Sequence, residues 1–186
     1  VWVPVGKITK ADGKTVEINL NRYTFDSNGN PTAKNEEVID TYYQGLATSY
    51  QELATSDKGN TVAKNITNFK NSVKANGGYY IGRYEARKNA TSVKLTEVNS
   101  DSVWNNITQP NAATQAGNMY DEKQPFTSDL MNSYAWDTAI TFIQKCTDKT
   151  NYANQSSLNA SLSQTGTTND NPCNIFDMAS NVCEWT

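Results

Sequence analysis

Residues 174–186, NIFDMASNVCEWT, constrain the fold of this chain most, because apolar and acidic side chains interleave there over a very short span. Ile175, Phe176, Met178, Val182 and Trp185 suit burial, and Asp177, Asn181 and Glu184 stand among them. Carboxylates are almost never fully buried unless they are paired, hydrogen-bonded or bound to a cation. The segment is therefore either a hydrogen-bonded structural latch or an oxygen-only cation site. Either way it organises the fold around it.

The rest of the chain reads as alternating short elements. Residues 1–5 form a short strand ended by Pro4 and Gly6, and residues 15–25 alternate Val16, Ile18 and Leu20 with polar neighbours, the period of a half-buried strand. Asp26 to Pro31 is a turn, since Asn and Gly tolerate positive φ; it lacks the spacing and closing Glu of an EF-hand loop. Residues 36–60 carry a weak pattern, read as a helical or irregular insertion. Val62, Ile66, Phe69 and Val73 have helical spacing over 61–75, with Asn76, Gly77 and Gly78 as the stop. Lysines 58, 64, 70 and 74 share one face of that helix and are expected in solvent.

A central strand is expected over 79–84, then helices over 108–118, with Pro110 in the first turn, and 133–146. In the last helix Trp136, Ala139, Ile140 and Ile143 form an apolar stripe that belongs to the core. Residues 151–171, rich in Asn, Ser, Thr and Gln, predict a surface loop before a closing strand. The order describes one α+β domain with a large irregular share.

Composition narrows the function. The chain of 186 residues has no histidine, which removes Ser/His and Cys/His nucleophile pairs and His metal ligands from this chain. A net charge of −3 without clustered Lys and Arg argues against nucleic acid as a partner. Cys146, Cys173 and Cys183 contain no C-x-x-C pair, so zinc is not expected. No apolar run spans a bilayer and no signal peptide opens the chain, so membrane insertion is not expected. The chain does not start with Met and is expected to be a piece of a longer product. Its Asn, Thr, Ser and Tyr richness fits an extracellular or cell-surface location. The N-x-S/T tripeptides at Asn65, Asn89, Asn106, Asn154 and Asn159 are read as chance matches in such a composition.

Residues 174–186 resemble the GLYDMAGNVWEWT type of motif of the formylglycine-generating-enzyme (sulfatase-modifying factor) superfamily, whose domains have a C-type-lectin-like fold. In the family's order, residues 79–86 (YYIGRYEA) are similar to its F-x-I-G-K-Y-E-V strand, residues 107–116 (ITQPNAATQA) to its V-S-W-x-x-A-x-A-Y helix start, and residues 133–143 (SYAWDTAITFI) to its E-A-E-W-E-Y-A helix. The resemblance covers roughly residues 2–5 and 79–186. It makes 1–186 a single domain with a family-specific insertion at about 6–75. It also implies that the domain continues past E-W-T and is C-terminally incomplete here.

The resemblance implies a Ca2+ site of oxygen ligands, the Asp177 and Glu184 side chains with the Ser180 and Val182 carbonyls; the alternative is that these groups cap backbone amides and hold no ion. No nucleotide or organic cofactor is implied. Cys183 stands where the family usually has Trp, and the family's catalytic cysteines lie downstream of this chain. Cys173 and Cys183 either form a structural disulfide, which closing a loop of about ten residues makes worth about 2–3 kcal/mol, or remain thiols. Cys146 is expected to be a free, buried thiol. Trp136, Phe176 and Trp185 are expected in the core. Trp104 and the tyrosines at 42, 43, 79 and 80 are candidates for a protein or glycan recognition surface.

The expected function is a non-catalytic, ligand- or surface-recognition scaffold, as in surface adhesins and the variable proteins of diversity-generating retroelements. The alternatives are a formylglycine-generating oxidase truncated before its catalytic cysteines, and a structural module of a surface appendage.

Overall fold

The structure, a computed structural model, describes residues 1–34, 61–89, 92–94, 103–120, 125–154, 163–182 and 184. Its centre is the helix Ser133–Cys146, which Asn132 opens by accepting the Ala135 N–H at 3.0 Å on its side-chain oxygen. Ala139, Ile140 and Ile143 on this helix are fully buried, as the apolar stripe predicts. Burial of each isoleucine contributes about 1.5–3 kcal/mol. Trp136, expected in the same stripe, is only partly buried and flanks the core.

The N-terminal ribbons pack on this helix. Strand β1 (Trp2–Pro4) pairs antiparallel with β6 (Gly78–Tyr80), placing Val3 opposite Tyr79 in the core. The register requires Gly78: at φ 158° a Cβ there would lie 2.4 Å from the Val3 carbonyl oxygen. Strands β2 (Gly6–Thr9) and β3 (Thr15–Ile18) form a hairpin that buries Ile18. Strands β4 (Tyr23–Phe25) and β5 (Pro31–Ala33) form a second one around the expected turn, where the Asp26 carboxylate accepts the Asn28 and Asn30 amides.

The single strand expected over 15–25 is thus two, broken at 19–22. The break has a tertiary cause: Asn21 donates its backbone N–H to Thr138 Oγ1 at 3.2 Å, and Arg22 Nε and the Tyr23 N–H donate to Asp137 Oδ2 at 2.6 and 2.8 Å. Polar groups of the central helix capture backbone that would otherwise continue a strand.

Helix α1 (Thr61–Asn76) ends where Gly77, at φ 74°, donates its N–H to the Val73 carbonyl. Val73 enters the core and Phe69 meets the Tyr79 ring edge-on at 5.2 Å. Lys70, expected in solvent, instead lies over the Tyr134 ring at 4.1 Å, so part of that face is occupied. Helix α2 (Gln109–Gly117) has Pro110 in its first turn and buries Ala112, Ala113 and Ala116, while the central helix is α3. Strands β7 (Arg87–Asn89) and β8 (Ser92–Lys94) pair antiparallel, and Val103 bridges to Arg87.

One apolar cluster joins Val3, Val73, Tyr79, Ile140, Ile175 and Met178, so the described residues share a single core. Helices and two-stranded antiparallel sheets make an α+β architecture with much irregular chain. Among the described residues no helix is long and apolar enough to cross a membrane.

Three expectations need correction. The strand at 79–84 shrinks to β6, after which Ile81 still exchanges backbone hydrogen bonds with Val1 and residues 82–86 lie outside any strand. The polar loop at 151–171 is not all surface: Tyr152, Thr165 and Asp170 are buried, because the polar groups there satisfy one another inside the protein. The closing strand is absent over 175–182, where Asp177 and Asn181 take positive φ of 62° and 69° that no strand accommodates. The weak region 36–60, Cys183 and Trp185 lie outside the described residues.

Candidate functional site

The left-handed turns at Cys173, Asn174, Asp177 and Asn181 fold the terminal segment back on itself and aim its polar groups inward. Asp177 is 0% exposed. Its Oδ2 accepts the Gly166 N–H at 3.1 Å and the Thr165 hydroxyl at 3.5 Å, and its Oδ1 accepts the Thr168 hydroxyl. Thr165 in turn accepts the Glu85 N–H at 3.0 Å, linking Asp177 to residues 83–85. Buried Asp170 accepts the Tyr152 hydroxyl at 2.7 Å and the Ser180 hydroxyl at 2.9 Å. Burial and the Asp170 carboxylate both push the Tyr152 pKa up, so it stays a donor.

Asn181 extends the network. Its amide nitrogen donates to Glu85 Oε2 and to the Ser163 carbonyl, and its oxygen accepts the Ser163 N–H at 2.9 Å. Phe176 donates its N–H to the Arg83 carbonyl at 2.8 Å, while its half-buried ring packs against Tyr84 at 4.9 Å. Glu184 Oε2 accepts the Trp136 indole N–H at 2.6 Å, tying the terminal segment to α3.

Of the residues implied as cation ligands, Asp177 is thus engaged by hydroxyl and amide donors, the Ser180 carbonyl accepts the Val182 N–H at 3.0 Å, and Glu184 turns to Trp136. Their setting is nevertheless rich in acceptors. Glu85 is 8% exposed, its Oε1 is buried with no hydrogen-bond partner, and desolvation, opposed by Asn181 and aided by Asp177 and Glu184, pushes its pKa up to about 8. Desolvation raises the Glu184 pKa to about 7, and Asp177 adds to the rise; because Glu184 as a residue stays exposed, solvent screening tempers this shift. Among the described residues no Lys or Arg forms an ion pair with Glu85, Asp170, Asp177 or Glu184. None of the described acidic and cysteine side chains cluster in threes close enough to hold a metal by themselves. A cation here would depend on main-chain oxygens as well.

Glu85, Asp170, Thr165 and Thr168 escape a reading of the sequence, since their partners lie up to 96 residues away. Cys173 is a half-buried free thiol, and its expected partner Cys183 is outside the described residues. Burial pushes the Cys173 pKa up to about 11, with a smaller contribution from Cys146, and burial raises Cys146 as well. Both stay protonated and weakly nucleophilic.

A second candidate region lies beside β7. There Trp104 donates its N–H to the Ala86 carbonyl at 2.8 Å, and the chain turns at Asn106 with φ 54° before entering α2. This arrangement opens a groove of about 410 Å³ lined by Lys88, Trp104, Asn106, Thr108, Asn111 and Gln115. Lys88 Nζ sits 5.6 Å from the Trp104 ring centroid, a cation–π contact worth about 0.5–1 kcal/mol at an exposed site. Trp104, which the sequence left undecided, is therefore half-buried with part of its surface toward the groove. Comparison with protein-family models, with curated proteins and with solved structures finds no match.

Proposed function

We infer that this chain is a non-catalytic recognition scaffold of the C-type-lectin-like, formylglycine-generating-enzyme type, which holds a ligand-binding surface on a rigid frame. The observation that carries the reading is the pairing of an open polar groove at Trp104 with a terminal segment locked by the fully buried Asp177. Protonated, half-buried thiols at Cys146 and Cys173 and a chain without histidine support binding over chemistry. The ligand is a protein or glycan of a surface, in keeping with an extracellular or cell-surface location.

Ca2+ belongs to the same reading. The carboxylates of Asp177 and Glu184 and the carbonyls of Ser180 and Val182 are hard oxygen donors of the kind this ion takes, and the partnerless Glu85 Oε1 marks a local surplus of acceptors. When bound, the ion would supply a positive charge where no Lys or Arg pairs with Asp177 or Glu184 among the described residues. The function is tested by presenting the labelled protein to glycan and cell-surface panels. Saturable binding to one surface class supports it; absence of binding to every panel, with the protein shown to be folded, rejects it.

A further inference from the structure

The groove at Trp104 has a composition that selects among ligands. Its described lining offers one indole, the aliphatic Ile107, one ammonium group and several primary amides with a hydroxyl, but no carboxylate. Asn106, Asn111 and Gln115 each present both a donor and an acceptor, which matches neighbouring hydroxyls on a sugar ring better than the one-directional pattern of a peptide strand. The indole gives the flat apolar surface on which a pyranose C–H face stacks, as aromatic side chains do with other apolar surfaces. Lys88 is an exposed side chain whose ammonium lies over the Trp104 ring, 5.6 Å from its centroid, with no ion-pair partner among the described residues, so a carboxylate held there stays against the indole. A lone cation is too little for a polyphosphate or nucleic acid, yet it suits a single carboxylate.

We propose that this groove binds an acidic saccharide, with the sugar ring against Trp104, its hydroxyls on Asn106, Asn111 and Gln115, and its carboxylate on Lys88. The assignment deepens the recognition reading and rests on it.

The test titrates the full chain with a glucuronic-acid-containing disaccharide and with its neutral methyl ester, following tryptophan fluorescence and heat of binding. The acid should quench fluorescence and bind about threefold or more tightly than the ester. Lys88→Gln should bring the two affinities together without moving the thermal unfolding midpoint, and Asn111→Ala should weaken both. Equal binding of acid and ester, or preference unchanged in Lys88→Gln, overturns the assignment. If the chain binds some surface panel undiminished by Lys88→Gln and Asn111→Ala, the groove assignment falls while the recognition reading stands; if neither disaccharide nor any panel binds, both fall.

Discussion

Two buried aspartates show two ways of placing a carboxylate inside this protein. Asp137, on α3, meets a counter-charge: Arg22 Nε lies 2.6 Å away, and the Tyr23 amide adds a second donor. Asp177, in the terminal segment, is buried more completely and relies on two threonine hydroxyls and one amide. Burial still raises the Asp137 pKa against the pull of Arg22, which shows how strongly desolvation acts even where a cation is present. At the terminal segment no Lys or Arg pairs with the carboxylates among the described residues, and desolvation, aided by Asp177 and Glu184, pushes the pKa of nearby Glu85 up to about 8. The N-terminal ribbon is therefore docked by a charge pair, and the terminal segment by neutral donors with a surplus of acceptors.

The largest test of this contrast is a pair of truncations. Asp177→Ala removes the shared acceptor of three buried or half-buried donors and should cost about 3–4 kcal/mol in urea unfolding. Asp137→Ala should cost less, about 2–3 kcal/mol, because the Arg22 side chain, 22% exposed, can turn to water. Equal losses would erase the distinction.

The next test uses pH, with chelator present. Folded Glu85 retains a proton that the unfolded chain, at the ordinary 4.5, has released. The native state then binds more protons, so stability falls as pH rises between about 4.5 and 8. Glu85→Gln should flatten that slope and raise the unfolding midpoint at pH 8; a slope unchanged by the substitution would remove Glu85 as its source.

A smaller effect sharpens the other side of the comparison. Millimolar Ca2+ should raise Tm at pH 8 by about 3–6 °C over chelator, the shift expected for roughly 1–2 kcal/mol of ligand-linked stability in a domain of this size. Asp177→Asn should abolish the increment while Asp137→Asn leaves it. Coincident melting curves with and without calcium would leave the terminal segment as a latch alone. The smallest effect belongs to Trp136→Phe, which deletes the indole donor to Glu184 and should cost about 1 kcal/mol.

Much of this was legible in the residues themselves. The apolar spacing of Ala139, Ile140 and Ile143 fixed the buried face of α3. The Gly77–Gly78 stop of α1 and the Asp26 turn were equally readable, because caps and turns depend on side chains within a few positions of one another. The interleaved acids and apolar residues of 174–186 also announced a buried polar centre, and Asp177 is indeed fully enclosed.

What the chain's local pattern left open was decided by partners distant in sequence. Strand alternation over 15–25 carried no sign that Asp137 and Thr138 would capture Asn21 and Arg22 and break it. The polar composition of 151–171 argued for solvent, yet Tyr152, Thr165 and Asp170 are interior because each hydroxyl and carboxylate there finds a complementary group across the fold. Local propensity determined where helices start and stop. Only tertiary structure determined which polar groups could afford to leave water, since that depends on whether a matching donor arrives from elsewhere.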